Sequence, residues 1–244
     1  MKIYGLVGKS LQHSFSAKYF STKFLNENIK NCVYQNFEFT DLKQFRNTVF
    51  NTPHLVGLNV TIPYKKEIIS HIDSLSSEAL EIGAINTISI DHFNKKLLGY
   101  NTDYIGFNDS LSNLNLLNKK ALVLGTGGAS LGIRYALGKR GIQYQMVSRN
   151  PRKNQLGYAT LNSLNLDEYQ LIINTTPLGT FPNIDELPNL PFSRINQQHI
   201  AYDLVYNPAK TSFLKSCQAK GAKIINGLKM LELQAEASWQ IWNK

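Results

Sequence analysis

Lys119-Lys120-Ala121-Leu122-Val123-Leu124-Gly125-Thr126-Gly127-Gly128-Ala129-Ser130 is the stretch whose reading decides the fold. Its apolar run reads as a buried strand, and the glycines that follow read as a tight turn opening a helix over 127–140. Gly125 permits the turn, and Gly127 lets the backbone come close to a pyrophosphate. The unpaired N–H groups and positive dipole end of the helix then face the phosphates. The pattern is G-x-G-G-A-S, with Ser130 where a third glycine is usual. Strand, glycine turn and helix together predict a Rossmann-type dinucleotide-binding domain with contacts at Gly125, Thr126, Gly127, Gly128 and Ala129.

The next strand, expected at 143–147, selects the dinucleotide. An NAD site places an acid about twenty residues beyond the glycines, to bind the ribose 2′-hydroxyl. Here the chain reads Ser148-Arg149-Asn150-Pro151-Arg152-Lys153, without a carboxylate. A carboxylate repels a 2′-phosphate, whereas a guanidinium clamps it bidentately. Arg149 is the first choice, Arg152 or Lys153 can add charge, and Ser148 and Asn150 complete the loop. The cofactor read from these residues is NADP.

Working outward, strands are expected at 171–174, 200–203 and 222–225, with a helix at 211–220 and a last amphipathic helix at 228–242. Before the glycine turn, strands are expected at 2–8, 32–39, 55–60, 84–90 and 97–100. Helices are expected at 17–28, at 41–51 with Thr40 or Asp41 as N-cap, at 78–82 and at 104–114. Alternation of this kind predicts an α/β fold. Its parts are an N-terminal α/β substrate domain with a mainly parallel sheet, residues 1–103, and the Rossmann-type NADP-binding domain, residues 104–227. The helix at 228–244 is expected to pack back on the first domain.

Composition narrows the class further. An apolar content of 43% and a charged content of 18% fit an ordinary globular chain. The apolar run Ile3–Val7 is too short for a signal-peptide core or a membrane span. Cys32 and Cys217 have no metal-ligand spacing, so two reduced thiols in a cytoplasmic protein are expected and no metal. The net charge of +9 comes from scattered lysines and arginines, with no basic helical stripe interleaved with aromatics. That distribution suits an anionic small molecule better than nucleic acid.

Several segments together resemble the shikimate dehydrogenase family. They are His13-Ser14-Phe15-Ser16, Leu58-Asn59-Val60-Thr61-Ile62-Pro63-Tyr64-Lys65, Gly83-Ala84-Ile85-Asn86-Thr87 and Gly99-Tyr100-Asn101-Thr102-Asp103. Asn174-Thr175-Thr176-Pro177-Leu178-Gly179, Tyr202-Asp203-Leu204-Val205-Tyr206-Asn207-Pro208 and Asn226-Gly227-Leu228 through Gln234-Ala235 follow. They occur in the family's order over nearly the whole chain. The resemblance implies reversible, NADPH-dependent reduction of 3-dehydroshikimate to shikimate, in the chorismate route to aromatic amino acids. It places the catalytic lysine at Lys65 and its partner at Asp103.

Hydride arriving at a ketone leaves an alkoxide, so a proton or positive charge must reach that oxygen. Lys65, projecting beyond a strand end and a proline, suits the task. A neighbouring carboxylate favours the charged lysine and burial disfavours it. The resemblance gives the substrate Ser14, Ser16, Thr61, Asn86, Asp103 and Gln234, with Asn59 and Tyr206 as further contacts. By the same token Ser14, Ser16 and Tyr206 hold the carboxylate, while Lys65, Asn86 and Asp103 address ring hydroxyls. Asn174, Thr175 and Leu204 are assigned to the dinucleotide, with Gly227 and Met230 beside the nicotinamide. Ala17 stands where the family's serine motif ends in proline, and the loop 181–191 matches no catalytic role. Alternatives are a quinate/shikimate dehydrogenase with relaxed substrate or cofactor use, or a non-catalytic dinucleotide sensor on the same fold. A monomer or a homodimer is expected.

Overall fold

Lys2–Gly8 form β1, the strand from which the first half of the molecule is built. In the computed structural model, which describes residues 1–12 and 14–244, Ser14 caps helix α1, Phe15–Asn26. His13, the first residue of the serine motif, lies outside the described residues. Strand β2 (Cys32–Glu38), helix α2 (Phe45–Phe50) and strand β3 (Leu55–Val60) follow. Then come β4 (Ser74–Leu75), α3 (Ser77–Ile82), β5 (Thr87–Asp91) and β6 (Lys96–Tyr100), and α4 (Asp103–Ser110) leads onward.

The sheet order is β2-β1-β3-β5-β6-β4. The β1–β2, β1–β3 and β4–β6 pairs are parallel, and β5 runs antiparallel to both neighbours. Alternation along β1 feeds two cores. Tyr4 and Leu6 join Phe20, Phe24, Tyr34, Ala235 and Trp242 on one face, whereas Val7 joins Phe45, Val49, Leu58, Tyr64 and Ile88 on the other. Gly57 makes room for Trp242: a Cβ there would stand 2.1 Å from its Nε1, which donates to the Ile88 carbonyl at 3.0 Å.

Three expected starts move by two residues or more, and the helix expected over 104–114 ends at Ser110. The helix expected from residue 41 starts at Phe45, because Asp41 Oδ1 accepts the Lys43 N–H at 2.9 Å in a turn that competes with the helix. The helix expected from Ala17 starts at Phe15, since Ser14 provides the cap. The strand expected over 84–90 begins only at Thr87, and Ala84, Ile85 and Asn86 form a buried approach to it. The strands at Ser74–Leu75 and Gln155–Gly157 were not anticipated.

The second half comprises β7 (Ala121–Leu124), α5 (Gly128–Lys139), β8 (Tyr144–Ser148), β9 (Gln155–Gly157), β10 (Leu171–Asn174), β11 (Ile200–Asp203), α6 (Ser212–Gln218), β12 (Lys223–Ile225) and α7 (Leu228–Trp242). Its sheet is parallel throughout, in the order β12-β11-β10-β7-β8-β9. Strand β7 lies beside both β8 and β10, so the winding reverses there. The chain divides into two compact units, Met1–Ile105 with Gln234–Lys244, and Gly106–Leu233. Among the described residues no helix is long and apolar enough to cross a membrane.

Candidate functional site

In the first unit a fixed backbone carries Lys65. The Thr61 N–H continues the ladder onto the Val7 carbonyl, and the Tyr64 N–H closes a turn onto the Thr61 carbonyl. The Tyr64 hydroxyl donates to the Phe39 carbonyl at 2.6 Å, and the Lys65 carbonyl accepts the Ile85 N–H at 2.8 Å. With its flanks anchored, the Lys65 ammonium meets Asp103 Oδ2 at 2.5 Å. The side chains are 14% and 7% exposed. Asp103 opens α4, where Asn101 Oδ1 accepts the Tyr104 N–H and Asn101 Nδ2 donates to the Ala84 carbonyl. A charge pair so enclosed requires its remaining polar atoms to be matched.

Asn86 provides that match. Its Nδ2 lies 2.9 Å from Asp103 Oδ1, 3.0 Å from Thr102 Oγ1 and 3.1 Å from Gln234 Oε1. Two N–H bonds thus face three acceptors, and Asn86 Oδ1 takes the Thr102 N–H at 2.6 Å. The structure therefore brings Lys65, Asn86, Asp103 and Gln234 into one polar cluster. It adds Thr102, fully buried, which belongs to the Asp103 motif but was assigned no role from the sequence. Asn59, expected as a substrate contact, is 4% exposed and matched within the protein. Its Oδ1 accepts from the Tyr34 hydroxyl at 2.8 Å and its Nδ2 donates to Ser238 Oγ at 2.9 Å. Thr61 is half-buried just past β3, and Ser14 and Ser16 are half-buried at the start of α1. Ser14 Oγ is already engaged as the cap, accepting the Ser16 N–H at 3.3 Å.

The second unit gathers the glycine turn and two loops. Gly125 has φ +106, and a Cβ there would lie 2.8 Å from Thr175 Oγ1. Both conformation and space therefore require glycine. A Cβ on Gly127, the residue capping α5, meets nothing within 4 Å, and no side chain caps that helix. Open space over uncapped first-turn N–H groups fits a pyrophosphate, with Thr126, Gly128 and Ala129 at the same helix start. Ser130 is buried and donates to the Gly127 carbonyl at 2.7 Å, which lets a serine replace the third glycine.

Beyond β8, Ser148 Oγ accepts the Asn150 N–H at 3.2 Å, while Arg149, Asn150, Arg152 and Lys153 are exposed. Arg149 lies close enough to Tyr158 to favour its phenolate, although burial, the larger influence, raises that pKa. Buried Asp203 ties the loops after β10 and β11 together. It accepts from Thr211 Oγ1 at 2.6 Å, from Asn174 Nδ2 at 2.9 Å and from the Val205 N–H at 3.0 Å. Burial outweighs these bonds and pushes its pKa up to about 6. Asn174 Oδ1 in turn holds Thr176 by its N–H and its hydroxyl. Leu204 and Tyr206 are half-buried beyond β11, and Met230 is buried in α7. Gly227 was expected to admit the nicotinamide. What demands glycine there is the Leu204 carbonyl oxygen, 2.1 Å from where a Cβ would stand.

The sequence and the fold lead to the same relatives. A family model described as the shikimate dehydrogenase substrate binding domain matches residues 6–88. The NADP(+) shikimate dehydrogenase of Caldicellulosiruptor bescii is 38% identical, over 99% of this chain and 89% of its own. A crystal structure of a shikimate dehydrogenase in complex with NADP+ superposes with a TM-score of 0.87 at 32% identity, covering 99% and 90% of the two chains. The Thermus thermophilus enzyme in complex with NADP(H) and shikimate superposes at 0.85 and 28% identity, over 99% and 93%. At this identity over nearly its full length, the chain belongs to the shikimate dehydrogenase family.

Proposed function

We propose that this protein is an NADP-dependent shikimate dehydrogenase, interconverting 3-dehydroshikimate and shikimate on the chorismate route to aromatic amino acids. The observation that carries the mechanism is the 2.5 Å Lys65–Asp103 pair, backed by Asn86 and largely shielded from solvent. Bound NADPH supplies the hydride. Lys65 gives a proton to the ketone oxygen as the carbon is reduced, and in the reverse direction it takes the proton from the hydroxyl. Asp103 keeps the lysine charged and aimed, and Asn86 fixes the second carboxylate oxygen so that Asp103 does not turn away.

Thr61, Thr102 and Gln234 offer hydroxyl and amide groups for the ring hydroxyls. Ser14 and Ser16 take the carboxylate, and Asn59 acts from behind the contact surface. The uncapped start of α5, the Asn174-Thr175-Thr176 loop and the exposed Arg149 support pyrophosphate and 2′-phosphate binding, with Arg152 and Lys153 adding charge. Each chain carries the whole set of residues, so a monomer or a homodimer would work alike, in the cytoplasm where Cys32 and Cys217 stay reduced. The test is an absorbance assay of shikimate and quinate oxidation with NADP and with NAD. Turnover of shikimate with NADP is expected to exceed the other combinations. Failure to oxidise shikimate with either cofactor would overturn the proposal.

A further inference from the structure

Tyr34 sits in the middle of β2 with 6% exposure, far in sequence from every residue assigned to the reaction. Its ring lies flat on Phe20, with centroids 4.5 Å apart and planes 11° apart, so the hydroxyl has a fixed position. That hydroxyl donates to Asn59 Oδ1 at 2.8 Å. The Ser16 side chain lies beside the same oxygen and opposes the effect of burial, which raises the phenol far above its usual range. Tyr34 therefore meets two groups at once, the serine assigned to the substrate carboxylate and the asparagine behind the ring.

The bond to Asn59 settles which way that amide turns. With its oxygen held by Tyr34, Nδ2 must face Ser238 Oγ at 2.9 Å, the Asn86 carbonyl at 3.2 Å and Thr87 Oγ1 at 3.3 Å. Those atoms form the wall against which Asn86 stands, and Asn86 holds Asp103. Without the phenol oxygen, Asn59 Oδ1 would be buried with no donor, and a flipped amide would turn its oxygen toward the Asn86 carbonyl.

We infer that Tyr34 is a positioning residue for the hydroxy-acid substrate, linking Ser16 at the carboxylate end to Asn59 and Asn86 at the ring end through its single hydroxyl. The inference rests on the proposed function. Tyr34→Phe keeps the ring and its stacking and removes only the oxygen. The experiment is steady-state kinetics of shikimate oxidation for wild type, Tyr34→Phe, Ser16→Ala and the double variant, with thermal unfolding of each.

Tyr34→Phe is expected to lower kcat/KM for shikimate by about 10-fold, the worth of one ordering hydrogen bond, while the KM for NADP stays within about two-fold. The double variant should lose less than the product of the two single losses, because each single change already unlinks Ser16 from Asn59. Unchanged shikimate kinetics in Tyr34→Phe, equal losses for shikimate and NADP, or fully multiplicative losses would each overturn the inference. A lowered unfolding temperature with wild-type kinetics would also overturn it, leaving Tyr34 a purely structural residue. If the wild-type chain does not oxidise shikimate, the parent reading falls and this one falls with it.

Discussion

Neutralising Asp103 tests the mechanism most directly. The pair lies at 2.5 Å with 14% and 7% of the two side chains exposed. At an effective dielectric of about 20 the bare attraction at that distance is roughly 7 kcal/mol, most of it offset by desolvation of both ions. In Asp103→Asn the amide cannot satisfy both neighbours in their present arrangement, since Lys65 and Asn86 Nδ2 are both donors. Asn86 can release its bond, because Thr102 and Gln234 offer it other acceptors at 3.0 and 3.1 Å. The amide oxygen then stays with Lys65, and what disappears is the charge. A charge-assisted hydrogen bond is worth about 1.5–3 kcal/mol, so kcat/KM should fall by about 10- to 100-fold. Lys65→Met removes the proposed proton source and should cost about 10²–10⁴ in kcat. If Asp103 acts by holding the lysine, Asp103→Asn should add almost nothing in the Lys65→Met background, a coupling of about 1.5–3 kcal/mol. The assay is initial-rate absorbance of the reduced nicotinamide for the four proteins, with NADP affinity measured by fluorescence quenching. Additive losses, or an Asp103→Asn enzyme within three-fold of wild type, would refute the reasoning.

Arg149→Ala should weaken NADPH by about 10- to 100-fold and NADH hardly at all, as loss of one guanidinium–phosphate clamp predicts; competitive binding of both nucleotides checks it. Asp203 titrates at about 6 when folded against an ordinary 3.8, a raised carboxyl whose contribution is most favourable below the unfolded value and is lost as the pH rises through about 6. Asp203→Asn keeps an acceptor for Asn174 and Val205 and should remove a pH-dependent penalty of about 3 kcal/mol. Urea unfolding should therefore show the variant gaining on wild type as the pH rises from about 4 through about 6 and holding that gain above, and parallel curves would refute that assignment. Gly57→Ala drives a methyl group into the Trp242 indole at 2.1 Å and should destabilise the chain by about 1–3 kcal/mol, read by the same unfolding assay.

What could be read in advance tracks how locally each feature is encoded. Leu171–Asn174, Ile200–Asp203 and Leu55–Val60 are apolar runs closed by polar or proline residues, and they form strands at the expected residues. Gly125 announced its positive φ through turn chemistry alone. The two- and three-residue strands at Ser74 and Gln155 are too short to leave a period. Asn86 was expected inside a strand because Ala84-Ile85 is apolar and Thr87 and Ile88 favour strands. It lies instead before the strand, with its carbonyl taking the Val60 N–H and its own N–H reaching the Tyr100 carbonyl. Nothing within ten residues of Asn86 specifies those two partners.

That distinction separates the two groups of candidate residues. The residues proposed for the dinucleotide are backbone groups and one basic loop, so their reading rests on glycine spacing and the missing acid, both local in the sequence. The residues proposed for the substrate are a set of side chains contributed by β2, β3, the approach to β5, the start of α4 and the middle of α7. Thr102, Ser238 and Tyr34 each look ordinary in sequence, a threonine in a loop, a serine in a helix and a tyrosine in a strand. Their chemistry arises from the register that places Asn59 opposite Thr87 and sets both beside Ser238. The proposed catalytic lysine and aspartate were placed by the motifs that surround them, not by residue type alone. The groups that hold them are hydroxyls and amides whose partners lie up to 179 residues away, and only the folded chain brings them together.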